Sequence, residues 1–113
     1  MSIQRHGTTR RYSDSVVHQG TVYLVEVPGV EGDIATQTAS LLASVDKLLV
    51  EAGSDKSKLL MVTVYLVDLA DYNGMNAVWD AWVPEGCAPT RACVQARLAN
   101  PGWRVEMAIT AAV

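Results

Sequence analysis

The sequence predicts an α+β fold, a mixed β-sheet with two helices packed on one face, in the order β-β-α-β-α-β-β. Three observations carry this expectation. From about Asp33 to Ala52, apolar residues recur on one stripe with a 3.6-residue period, Ile34, Leu41, Leu42, Val45, Leu48 and Leu49 among them. The segment Leu60–Val67 is β-branched and apolar at almost every position, the pattern of a strand buried on both faces. The last quarter of the chain alternates apolar and polar residues over Thr90–Leu98 and again over Arg104–Ala112.

The elements follow in order. Val16–His18 and Thr21–Val27 are β-rich, with Gln19-Gly20 between them as a tight turn, and Pro28-Gly29 breaks the second strand. Asp33 can cap the first helix, and Gly53 supplies the left-handed residue beyond its end. A second helix starts near Asp71, carries Tyr72, Met75, Val78, Trp79 and Trp82 on or beside one face, and ends before Pro84 and Gly86. The final two strands are expected to be joined by Asn100-Pro101-Gly102. Two helices cover one face of such a sheet, so the other face is expected to be covered by further copies of the chain.

Bulk properties narrow the function. The chain has 113 residues, half of them hydrophobic and 19% charged, which suits one globular domain spanning 1–113. A net charge of −3 and no basic run beyond Arg10-Arg11 give no footprint for nucleic acid. The polar N-terminus lacks the apolar core of a signal peptide, and no stretch is long enough to span a bilayer, so a cytoplasmic location with no membrane partner is expected. Two cysteines, Cys87 and Cys93, make no disulfide framework, and their spacing fits no zinc pattern with His6 or His18. Both are expected to be free thiols.

Strand alternation then isolates the candidate chemistry. Arg91, Cys93, Gln95 and Arg97 oppose Thr90, Ala92, Val94, Ala96 and Leu98, while Glu106 opposes Val105, Met107 and Ile109. With the apolar sets turned toward the helices, Arg91 and Glu106 are expected to share the other sheet face. If the last two strands form a hairpin centred on Asn100-Pro101, Glu106 lies opposite Gln95, roughly 13 Å along the strand from Arg91. A charged pair on a face destined for burial requires a ligand or a partner. The same pattern also fits two ordinary charges on a solvated face.

The segment Pro89-Thr90-Arg91-Ala92-Cys93-Val94-Gln95-Ala96-Arg97-Leu98-Ala99, with Val105-Glu106-Met107 beyond it, resembles the signature of the RidA/YjgF family. Tyr12-Ser13, the strand Val62–Leu69, and Asp71-Tyr72 leading to Asn76-Ala77 resemble it too, so the resemblance covers nearly the whole chain. It implies a chorismate-mutase-like (RidA-type) fold, a homotrimer with active sites in the clefts between subunits, and no cofactor or metal. The implied activity is hydrolysis of reactive 2-imino or 2-enamino acids, such as 2-aminoacrylate, to 2-keto acids and ammonium.

The resemblance also implies roles. Arg91 matches the substrate-binding arginine, whose planar guanidinium suits a carboxylate. Glu106 matches the acid that holds and activates water; its alternative is a partner for Arg104 or Arg97. Cys93 matches a position that offers its backbone N–H to the substrate, with a covalent role for the thiol as the alternative. Tyr12 and Asn76 match positions lining the cleft, although Asn76 could equally bond nearby backbone. Trp79 and Trp82 suit core or subunit contacts better than substrate platforms. One departure stands out. Val25-Glu26-Val27-Pro28 occupies a stretch where many members carry a glycine, so Val25 adds a branched side chain to the pocket and substrate size is open. A non-catalytic carboxylate binder, sensor or chaperone-like role is the alternative function.

Overall fold

A computed structural model describes residues 2–113. Six strands form one mixed sheet in the order β1-β2-β3-β6-β4-β5. They are β1 (Gln4–His6), β2 (Ser15–His18), β3 (Thr21–Glu26), β4 (Leu59–Leu66), β5 (Thr90–Gln95) and β6 (Val105–Ala112). Helices α1 (Ile34–Glu51) and α2 (Tyr72–Trp82) pack on one sheet face, and a core built around Val22, Leu41, Val62, Val64, Met75 and Met107 fills the space between.

Local chemistry sets the boundaries. Gln19 and Gly20 both take positive φ, 52° and 78°, so the β2–β3 hairpin closes with a two-residue turn whose twist suits the strands. The Asp33 side chain accepts from the Thr36 backbone N–H at 2.8 Å and caps α1. Strand β4 carries a bulge between Leu59 and Met61. The extra residue lets both Leu59 and Val62 face the core, although three positions separate them.

Beyond its outline, the structure departs from the sequence-based expectations. The polar N-terminus contributes β1, an edge strand paired antiparallel with β2. Leu60–Val67 was expected to be buried on both faces; within the chain Val62, Val64 and Leu66 are buried, whereas Met61 is half exposed and Thr63 and Tyr65 are only partly covered. The last two strands do not form a hairpin. Strand β4 lies between them, antiparallel to β6 and parallel to β5, which makes β5 the sheet edge. The physical reason is the crossover through α2: a strand-helix-strand unit returns its second strand parallel to the first. Strand β5 also stops at Gln95 rather than Leu98, and β6 starts at Val105 rather than Arg104.

The segment between β5 and β6 is pinned from the core. Gln37, 1% exposed on α1, accepts from the Arg104 backbone N–H at 2.7 Å and donates to the Gly102 carbonyl at 2.9 Å. The Arg104 guanidinium continues the clamp to the Gly32 carbonyl and to Asp71.

Candidate functional site

The pairing register places the candidate residues on β3, β5 and β6. Arg91 lies beside Val62, which in turn faces Ile109, and all three side chains share the helix side of the sheet. Glu106 lies beside Tyr65, on the open side with Thr63 and Ala108. The expectation that Arg91 and Glu106 share a face is therefore corrected: they point to opposite faces. Strand β5 was oriented wrongly because its apolar set, Thr90, Ala92 and Val94, was assumed to turn inward. At this edge Val94 is 42% exposed, while Cys93 and the Arg91 stem pack against the helix layer. The two residues are three positions apart along β4 and two strands apart, about 14 Å between backbones.

The candidates thus divide into two groups. Glu106 lines a hollow of about 310 Å³ on the open face with Val25, Tyr65, Arg97, Leu98 and Ala108. An adjoining hollow of about 380 Å³ is lined by Ser13, Tyr23, Met61, Thr63 and Thr110, and again by Val25 and Ala108. Val25 stands between the two, 53% exposed, so its branched side chain divides what would otherwise be a longer trough. Tyr12, 64% exposed, adjoins Ser13 at the far edge of this face. Five strand spacings, about 24 Å, separate that edge from β5.

The second group lies on the helix side of β5. The Arg91 guanidinium carbon stands 5.2 Å from the Trp79 ring centre and 5.9 Å from that of Tyr72. Its N–H groups make long contacts of 3.9 Å to Met75 Sδ and 3.4 Å to the Tyr72 hydroxyl. The one ion pair among the described residues is Arg104–Asp71, so neither Arg91 nor Glu106 has a partner of opposite charge among them. Asn76, one residue beyond Met75 on α2, has a buried Oδ1 with no donor. Burial pushes the Cys93 thiol up from its ordinary range, and the Arg91 charge offsets only part of that rise. A thiol so held is a poor nucleophile at neutral pH, which counts against the covalent alternative.

Sequence reading missed Tyr72 and the contact of Trp79 with Arg91. The available signal was the 3- and 4-residue spacing of Tyr72, Met75 and Trp79, which puts them on one helical face. Trp82 belongs to the same aromatic layer, 5.5 Å from Trp79. Among the described residues, no group of three or more His, Cys, Asp or Glu side chains is placed to hold a metal ion. No helix among the described residues is long and apolar enough to cross a membrane.

Fold and site together define a small α+β protein that divides its unpartnered charged residues between an open sheet face and the opposite side of a sheet edge. The profile of the family described as Endoribonuclease L-PSP matches residues 2–113, and the chain belongs to that family, the YjgF/RidA proteins. A RutC family protein from Haemophilus ducreyi is 46% identical over 113 residues, covering 98% of this chain and 97% of its own. The RutC family protein YoaB from Escherichia coli K12 is also 46% identical, over 114 residues and the whole of both chains. A crystal structure of a YjgF-family member from Neisseria meningitidis superposes with a TM-score of 0.97 at 51% identity, covering 99% of this chain and 95% of that one. Yeast Mmf1, at 21% identity and a TM-score of 0.90, shares the fold.

Proposed function

We propose that this chain hydrolyses reactive 2-imino and 2-enamino acids to 2-keto acids and ammonium, in sites assembled between the subunits of a homotrimer. The observation that carries the reading is the division of the charged pair: an Arg91 guanidinium and a Glu106 carboxylate, each only partly exposed and each without a counter-ion among the described residues. Leaving such groups unmatched is unfavourable unless something arrives to match them. In this reading the β5 edge of one copy lies over the open face of another, which would bring Arg91, Cys93 and Asn76 of one subunit toward Glu106, Val25 and Tyr12 of its neighbour. The same contact covers the half-exposed Tyr23, Val25 and Met61.

In this reading the guanidinium takes the substrate carboxylate in two parallel charge-assisted bonds. The Cys93 backbone N–H supports that carboxylate. An enamino acid first tautomerises to the imine by gaining a proton at carbon 3 and losing one from nitrogen. Glu106 then orients a water and takes a proton from it as the oxygen attacks the protonated C=N carbon. The tetrahedral carbinolamine collapses when nitrogen receives that proton and departs as ammonia, which takes up the proton released by the carbinolamine hydroxyl as the carbonyl forms. The iminium form and one water thus yield a 2-keto acid and ammonium, and Glu106 ends ionised as it began. A positioned base contributes about 10²- to 10⁴-fold, enough for an imine that already reacts with water.

A coupled assay tests this. Threonine dehydratase generates the imino acid in place, and keto-acid release is followed with and without the protein. The native chain is expected to accelerate release and Arg91→Ala to abolish the effect. Glu106→Gln is expected to lose turnover while still binding 2-oxobutanoate. Keto-acid binding by a native chain that gives no acceleration would instead favour a carboxylate sensor.

A further inference from the structure

We infer that Trp79 and Tyr72 are positioning residues for Arg91, holding its guanidinium against aromatic faces that fix it without neutralising it. The inference rests on the reading of Arg91 as the carboxylate anchor. A guanidinium forms its hydrogen bonds in its own plane and stacks on rings through its faces, so the two kinds of contact do not compete. A carboxylate partner in the same chain would have to be displaced by each arriving substrate. An aromatic support leaves free the in-plane N–H groups that do not reach Tyr72 and Met75.

The support is itself braced from the core. Trp79 is 5% exposed and leans on Trp82, 5.5 Å away with a 48° tilt between the rings. The Trp82 indole N–H donates to Asp46 Oδ2 on α1 at 3.0 Å. Contacts therefore run from α1 through both indoles to Arg91, and the Tyr72 hydroxyl and Met75 Sδ hold the outer nitrogens. Because Arg91 would hold the substrate carboxylate equally in ground state and transition state, loosening it weakens binding and spares the chemical step.

Three variants test this. Tyr72 is 41% exposed, so Tyr72→Leu leaves the core untouched; Trp79→Leu removes the indole, and Trp79→Phe restores a ring face. Each is measured for KM and kcat, for 2-oxobutanoate affinity by calorimetry, and for the Arg91 Nε–H resonance by NMR. We expect KM and Kd to rise about 3- to 30-fold in the two leucine variants, the span of a typical cation–π contact. In those variants kcat stays within about twofold, as expected for loss of uniform binding. Trp79→Phe recovers most of the loss, and the native Nε–H line is ring-shifted and protected from exchange. Native KM and Kd in a folded Tyr72→Leu chain, together with an Arg91 resonance like that of free arginine, would overturn the inference. A native chain with no affinity for the keto acid would count against the anchor reading. The ring-shifted, protected Nε–H line would then decide the aromatic support separately, its presence upholding the support and its absence overturning it.

Discussion

Val25 and Glu26 are neighbours on β3 that face opposite ways, and each leads to a prediction. Val25 separates the two hollows of the open face. Val25→Gly is expected to join them and raise kcat/KM for longer imino acids relative to short ones, by about tenfold, the scale of one or two methylene contacts. The coupled assay with a series of amino-acid precursors reads the ratio. Glu26 faces the helix side, where burial and the nearby Asp14 raise its carboxyl above the ordinary 4.5 and the Val27 N–H lowers it only in part. A raised acid binds its proton more tightly folded than unfolded, so ionisation opposes folding. Stability is therefore expected to fall as pH rises through 4.5 and to level off above the raised folded value. Glu26→Gln should melt higher than the native chain at neutral pH and lose that advantage in acid, measured by thermal denaturation across the range. At this scale the sequence read well: alternation separated Arg91 and Cys93 from Thr90 and Val94 correctly. It could not say which set turned inward, because the Arg91 stem and the Cys93 thiol pack against the helix layer as readily as small apolar side chains would.

The elements were legible where one chain segment carries its own signal. The stripe of α1, its Asp33 cap and the Gln19-Gly20 turn all follow from local chemistry, and the structure has them where the pattern puts them. Pairing was harder, since neighbours in a sheet are chosen by distant segments. The hairpin expected for β5 and β6 ignored the strand-helix-strand unit β4-α2-β5, which was a usable sign of parallel pairing. Strand β1 was hidden because Gln4, Arg5 and His6 are all exposed, so no apolar pattern marks them. Gln37 lies beside the apolar stripe and carries no apolar signal of its own, yet it fixes the segment leading to Glu106. Gln37→Leu should leave the Arg104 N–H and Gly102 carbonyl without partners and cost about 1–3 kcal/mol. Urea denaturation checks the stability, and the amide exchange of residues 100–104 should quicken in the same variant.

The molecule as a whole has a covered face and an uncovered one. Its helix layer closes a continuous core, while Tyr23, Val25, Met61 and Val94 remain about half exposed on the other side of the sheet. That imbalance was readable from the count of helices. The division of the candidate site was not, because it depends on which side of β5 turns inward and on the strand order that sets Arg91 and Glu106 about 14 Å apart. A single chain cannot close Arg91 and Glu106 around one small substrate, which is why the proposed site draws on two chains.

The measurement that tests this most directly is complementation between two inactive variants. Arg91→Ala and Glu106→Gln are purified separately and then co-assembled from denaturant, with each variant reassembled alone as the control. If the site takes Arg91 from one subunit and Glu106 from its neighbour, mixed assemblies contain intact sites. Random assortment should then return about a quarter of the native deaminase rate. Mixed assemblies that form but remain as inactive as either parent would contradict the account.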